Sequence, residues 1–385
     1  MTFDSCCSAV PSEKGLPRRG FLGALGLGAV VASVAACAST DTPAAASVAT
    51  AASGAAPEGF GPLELVLLGT EAGPPVEPSA AGISTALVVD GVTYVIDCGR
   101  ASLTQYVRSG LRLADLRSIF VTHLHADHVA DYYNYFLLGG SGPNIQFRDV
   151  LSGPVGVYGP GPAGGLGPKF GGGEAPTISP ENPTPGIAEL TRKCHEAFAY
   201  SSNSFMRDTG VRDVRTLADV HEITLPAIGA TFENTSPAMD PFVVMEDDRV
   251  KVSAVLVPHG PIFPAFAFRF DTAHGSVTFS GDTTYSENLV RLAQGSDVLV
   301  HEAVNVQGGE VRLPPAALDH MLQSHVEVQK VGEIAQRAGV PTLVISHLID
   351  FVTTPIDRDR WKAWAREGYD GEVIVGEDLQ RIRVS

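Results

Sequence analysis

Cysteine is scarce, at five in 385 residues, and three of the five fall within the first 37. The other two, Cys98 and Cys194, are too differently placed to make a disulfide framework, so core burial has to hold the fold. Cys98 follows an apolar run and reads as a small core residue. Basic residues are outnumbered, 27 Lys and Arg against 43 Asp and Glu, for a net charge of −16. No basic run interrupts that excess, which argues against a nucleic-acid backbone as partner. After the first 40 residues there is no apolar stretch long enough to span a membrane. With 44% apolar and 18% charged residues, the chain is globular and has enough apolar material for a large core.

The N-terminal stretch has the character of an address. Lys14, Arg18 and Arg19 precede an uncharged run from Gly20 to Ala36, the order of a charged n-region and an apolar h-region in an export signal. Arg18-Arg19-Gly20-Phe21-Leu22 resembles a twin-arginine signal, and Val34-Ala35-Ala36-Cys37 resembles a lipobox. Residues 1–37 are therefore expected to export the chain to the bacterial envelope or periplasm, with Cys37 as a lipid anchor and the only link to a membrane. Removing residues 1–36 takes away two acids and three bases, which leaves the remainder one unit more acidic. Residues 38–60, rich in Ala, Ser, Thr, Pro and Gly, read as a flexible tether.

The fold should occupy residues 61–385. Leu63–Leu68 reads as a strand, and Thr85–Val89 and Val92–Asp97 are joined through Asp90-Gly91, a strong hairpin signal. Ser102–Ser109 suits a helix closed by Gly110. Residues 139–186 are crowded with Gly and Pro and read as loops, followed by a helix over Ile187–Met206. Residues 140–245 as a whole are read as an insertion over the active site. Strands return at Val250–Val257, Phe266–Phe270, Ser276–Phe279, Asp297–Val300 and Thr342–Ile345. Between the last two, Ser324-His325-Val326-Glu327 fits a capping box opening a helix to Ala338, with Gly339 as its stop.

Ile119–His128 carries the chemistry. Four apolar or strand-forming residues lead into His123-Leu124-His125-Ala126-Asp127-His128, with a further acid at Asp131. Neutral imidazoles and carboxylates at this density suit a zinc-like divalent ion. Five strands end in a residue of that kind, at His123, His259, Asp282, His301 and His347, and in α/β folds chemistry collects where strands end.

Together with Leu68-Gly69-Thr70, Ile96-Asp97-Cys98-Gly99, Pro258-His259-Gly260, Ser280-Gly281-Asp282-Thr283, His301-Glu302-Ala303 and Ser346-His347, this motif resembles the metallo-β-lactamase superfamily. The similarity is to its ribonuclease Z and arylsulfatase-like branch. The resemblance implies an α/β fold, a four-layer αββα sandwich. It also implies that His123, His125 and His259 hold one metal, that Asp127, His128 and His347 hold a second, and that Asp282 bridges them. Two divalent ions, zinc by default and manganese or iron as alternatives, share a hydroxide in such a centre. Asp127 would orient it, and His325 would protonate the leaving group or, at a helix N-terminus, hydrogen-bond an anionic substrate. Asp97 and Glu302 would support the site from behind. His195, His221, His274 and His320 have no partner pattern. Dimers are common in the branch, so a homodimer is compatible.

Where the branch has Ser or Thr after the equivalent of His325 stands Val326, and where Thr is common after Ala303 stands Val304. With the acidic charge, these departures argue against tRNA. The expectation is an exported dinuclear hydrolase cleaving a phosphodiester or sulfate ester of a small anionic molecule, without nucleic acid as partner. Lactone or β-lactam hydrolysis is the alternative, and an inactive binding protein on the same fold a further one.

Overall fold

A computed structural model describes residues 59–143, 148–311 and 313–384. The expected leader, and the tether up to residue 58, lie outside the described residues. Fourteen strands are described. The first six are β1 (Leu63–Gly69), β2 (Ser84–Val89), β3 (Val92–Ile96), β4 (Leu116–Phe120), β5 (Val155–Gly159) and β6 (Ala218–Glu222). Then follow β7 (Phe242–Glu246), β8 (Val250–Leu256), β9 (Phe266–Thr272) and β10 (Gly275–Phe279). The last are β11 (Val298–Asn305), β12 (Thr342–Asp350), β13 (Glu372–Val375) and β14 (Arg381–Arg383). The helices are α1 (Ser102–Arg108), α2 (Ala126–Val129), α3 (Asn134–Leu137), α4 (Ile187–Ala197) and α5 (Ala199–Thr209). To these are added α6 (Glu287–Ala293), α7 (Pro315–Ser324), α8 (Val328–Ala338) and α9 (Arg358–Ala365).

The strands form two seven-stranded sheets, β14-β1-β2-β3-β4-β5-β6 and β13-β12-β11-β10-β9-β8-β7. Each is antiparallel on one side and parallel on the other, and its parallel neighbours are joined by helical crossovers such as α1, α6 and α8. The result is the expected α/β sandwich. Strand β1 shows why its sequence is apolar throughout. Leu63, Leu65 and Leu67 face the core between the sheets, and Val66 and Leu68 face the core under the helices, as a period of two requires. Asp90 and Gly91 both take positive φ (48° and 80°) at the β2–β3 hairpin, the geometry that a two-residue Asp-Gly turn favours.

Directly before the histidine motif, Phe120 is fully buried between the sheets. Its ring lies 5.1 Å from Tyr158, 5.6 Å from Phe268 and 5.0 Å from Phe270, fixing the end of β4 against the second sheet.

Residues 140–245 differ from an insertion that only covers the site. β5 and β6 complete the first sheet, and β7 is the edge of the second. Burial of Val155 and Val157 and pairing with β4 outweigh the loop character that Gly and Pro give the stretch. The helix expected over Ile187–Met206 is two helices, broken at Phe198.

The expected capping box is not formed either. Ser324 ends α7, His325 is its C-cap, and α8 starts at Val328 with Glu327 as an N-cap whose side chain makes no capping hydrogen bond. Among the described residues no helix is long and apolar enough to cross a membrane.

Candidate metal centre

The seven proposed ligands lie at one edge of the sandwich. His123 leaves β4 two residues after Val121, and the short helix α2 presents Asp127 and His128 from its first turn. His259 follows β8 and Asp282 follows β10. Gly281 takes φ 57°, and a Cβ there would sit 2.5 Å from the Phe266 carbonyl oxygen, so only glycine lets Asp282 approach so closely.

His301 and His347 do not end their strands, as the sequence suggested. β11 and β12 run on to Asn305 and Asp350, and their pairing slips between His301–Ile345 and Ala303–Leu348. His347 sits in that irregularity with φ 56°, a bulge that turns its ring toward the site.

Two ligand sets result, His123–His125–His259–Asp282 and Asp127–His128–His347–Asp282, with donor atoms in each within 4.8 Å of one another. In the first, His125 Nδ1 lies 3.0 Å from His123 Nε2 and 3.1 Å from His259 Nε2. Asp282 Oδ2 lies 3.8 and 3.7 Å from the same two nitrogens. In the second, Asp127 Oδ2 lies 3.6 Å from His128 Nε2 and 3.4 Å from His347 Nε2. Asp282 Oδ2 lies 3.3 and 3.2 Å from those nitrogens, and so belongs to both sets.

Metal–nitrogen bonds of 2.0–2.1 Å in a tetrahedron place donors about 3.3 Å apart, so these separations suit an ion at the middle of each set. The donors call for one. Three imidazole nitrogens meet at His125 Nδ1, where a single shared proton satisfies only one contact, and His128 Nε2 and Asp282 Oδ1 are buried without a partner among the described residues.

The electrostatics agree for the first set. Burial lowers the pKa of His123, takes His125 down to about 4 and His259 to about 3, so all three rings are neutral with lone pairs free. In the second set, burial lowers the pKa of His128 but the Asp282 and Asp97 carboxylates more than reverse it, so an ion there would have to displace a proton from that ring. Burial raises Asp127 and Asp282, but the neighbouring histidines outweigh it and hold both carboxylates ionised.

Asp97, in the left-handed region at φ 58°, accepts hydrogen bonds from Thr122 N–H and Thr122 Oγ1, each at 2.8 Å, and faces His128 Nδ1 at 2.8 Å. It therefore orients His128 and the start of the motif together. Glu302 does not touch a ligand histidine by hydrogen bond. Its Oε1 accepts from Thr283 N–H at 3.1 Å, next to Asp282, and faces His325 Nδ1 at 3.1 Å.

His325 differs from expectation because it closes a helix and does not open one. Burial lowers its pKa, but the Glu302 carboxylate more than reverses that and takes it to about 9, and a helix C-terminus also favours imidazolium. Its ring lies 5.0 Å from that of His259 and 5.7 Å from that of His347.

Asp131 is turned away, accepting from Leu103 N–H at the start of α1. His195 pairs with Tyr133, His221 with Asp219 and His274 with Asp90, while His320 meets Phe170 edge to face. Two supports had no readable signal: Gly73 N–H, which donates to Asp127 Oδ2 at 2.9 Å, and the Ser324 carbonyl, which accepts from His259 Nδ1 at 2.9 Å. Both are backbone groups brought in by tertiary structure.

The Metallo-beta-lactamase superfamily profile matches residues 80–133, the stretch that carries the histidine motif. Ribonuclease Z of Mycobacterium bovis (strain BCG / Pasteur 1173P2) is 30% identical over 324 residues, 84% of this chain and 98% of that protein. Ribonuclease Z of Mycobacterium avium is 31% identical over the same shares. The chain belongs to the ribonuclease Z family.

Among solved structures, the short form of human tRNase Z aligns with a TM-score of 0.55 at 20% identity, over 84% of this chain and 99% of that one. A metallo-β-lactamase fold protein of Bacillus subtilis aligns with 0.52 at 15% identity, over 84% and 100%. These two show the shared fold. This ribonuclease Z family member is a metal-dependent hydrolase of phosphodiesterase type, and its His/Asp clusters are suited to divalent metal ions.

The relatives overturn two expectations. A hydrolase of small anionic esters, and the exclusion of nucleic acid as partner, do not stand against relatives named as ribonucleases along nearly their whole length. The two departures that had argued against tRNA concern packing. Val304 is fully buried and Val326 nearly so, and Val304 N–H donates to the Val326 carbonyl at 2.9 Å, so both are core positions without a polar role.

Proposed function

We propose that this chain is a two-metal endonuclease that cleaves a phosphodiester of RNA, with a tRNA precursor as the substrate class. The observation that carries the reading is the pair of ligand sets sharing Asp282, within a chain that matches ribonuclease Z relatives over 98% of their length. His123, His125 and His259 would hold one ion, and Asp127, His128 and His347 the other, with Asp282 reaching both. Zinc is the ion that this donor set favours. Bound there, divalent ions supply a nucleophilic water at neutral pH and positive charge against the phosphoryl oxygens.

The residues themselves do the rest. Asp127, fixed by Gly73 N–H, orients the attacking water and takes up its proton. Asp97 keeps His128 in the tautomer whose Nε2 faces the centre. His325, held as imidazolium by Glu302, gives a proton to the sugar oxygen that leaves phosphorus.

The deciding assay is cleavage of a 3′-extended tRNA precursor by zinc-loaded protein, with Asp127→Ala and mature tRNA as controls. Endonucleolytic cut of the precursor alone, lost in the variant, supports the reading. Metal-loaded protein that leaves the precursor intact overturns it.

A further inference from the structure

A histidine that binds a metal through one ring nitrogen needs a partner for the N–H of the other, and that partner fixes the ring. Three of the five candidate ligand histidines find theirs in the protein, at Asp97 for His128, Thr122 for His123 and the Ser324 carbonyl for His259. His125 is partly open to solvent. His347 is different. Its Nε2 faces Asp127 and Asp282, while its buried Nδ1 has no partner among the described residues.

Behind His347, between the sheets, is a cavity of about 30 Å³ that Asp282, His301, Ser346 and His347 help to line. His301 Nε2 and Ser346 Oγ, like His347 Nδ1, are buried and unpartnered among the described residues. His301 is fully buried and does not belong to either ligand set, so its Nε2 is otherwise unused.

The tautomers follow from the geometry. His301 Nδ1 lies 2.6 Å from the Glu302 carbonyl oxygen, and a carbonyl only accepts, so Nδ1 carries the hydrogen and Nε2 a lone pair. His347, with Nε2 turned to the centre, carries its hydrogen on Nδ1. A donor and an acceptor, with a hydroxyl beside them, thus belong to residues that line one small cavity, whose walls also include Ile83, Ile96, Phe279 and Val300. A buried water occupies roughly 10–15 Å³ at minimum and makes about three hydrogen bonds, so the space and its three polar groups suit one.

We propose that an ordered water in this cavity accepts from His347 Nδ1–H, donates to His301 Nε2 and contacts Ser346 Oγ, making His301 a positioning residue for His347. The proposal rests on the reading of His347 as a ligand of the second ion.

The test uses the full chain, its His301→Leu and His301→Gln variants, and zinc affinity measured by competition with a chromophoric chelator. In wild type two ions bind. In His301→Leu, which keeps the bulk but offers no acceptor, one of the two binds about 10–100-fold more weakly and the other is unchanged. His301→Gln, whose amide oxygen accepts, recovers most of the loss. A high-resolution crystal structure of the wild type shows the water between the two rings.

Two ions bound equally tightly by wild type and His301→Leu, equal weakening of both, or a cavity without water overturns the bridge alone. A wild-type chain that binds one ion overturns the two-ion reading and the bridge with it.

Discussion

The placement of His325 makes a sharp prediction about the leaving group. Glu302 Oε1 lies 3.1 Å from His325 Nδ1, and both are buried, so the pair places a protonated ring beside the histidines of the centre. Replacing His325 with Ala removes the proton donor, which is worth about 10²–10⁴-fold in rate where the leaving oxygen needs a proton. That corresponds to roughly 3–5 kcal/mol of barrier at about 1.4 kcal/mol per factor of ten. Glu302→Gln keeps an oxygen for Thr283 N–H and Val326 N–H but removes the charge that holds the imidazolium, so its loss should approach that of His325→Ala. Because the two act as a unit, the double variant should be no slower than His325→Ala alone. The assay compares a tRNA precursor with bis(p-nitrophenyl) phosphate, whose nitrophenolate leaves without a proton. The RNA reaction should fall by the full factor and the nitrophenyl reaction by less than about tenfold. Equal losses on both substrates would refute the proton-donor role, and additive losses in the double variant would refute the coupling.

Other perturbations have separate readouts. Asp97→Asn puts an amide where Thr122 Oγ1 and His128 Nδ1 meet a carboxylate, and zinc titration should show about 10–100-fold weaker binding of one ion. Phe120→Ala opens the inter-sheet core beneath the histidine motif and should cost about 3–5 kcal/mol in urea unfolding of the metal-loaded protein. Asp282→Ala removes the one carboxylate common to both sets, so elemental analysis after dialysis should show both ions depleted, whereas His259→Ala should deplete one. Chelation should lower the melting temperature, since ligand at about a thousand times its Kd contributes roughly 4 kcal/mol to the folded state.

Much of this site was legible because its residues sit where hydrophobic periodicity stops. Ile119–Val121 is a buried apolar run at the end of β4, and the abrupt change to His123, His125, Asp127 and His128 marks a sheet edge whatever the rest of the chain does. The same reasoning failed at His301 and His347, where a bulge lets a strand carry a polar side chain and then continue. It failed again at Ser324–Glu327, because a Ser-x-x-Glu pattern fits a helix start equally well when the serine is the last residue of the helix before. Gly and Pro hid β5, since local preference is weak against two paired neighbours and a buried face.

The misjudged partner has a different cause. Net charge is an average over the whole surface, and a phosphodiester responds to the field where it reacts. The two ligand sets contain five imidazoles and two carboxylates, so two divalent ions would outweigh the charge of their own ligands and leave the centre positive. An excess of acids elsewhere, screened within about 10 Å in ordinary salt, repels RNA at a distance but does not cancel that local attraction. The acidic balance therefore bears on how strongly the rate depends on ionic strength, and the chemistry of the ligand set bears on what is cleaved. A total of 43 acidic residues is thus compatible with the proposed cleavage of RNA at a positively charged loaded centre.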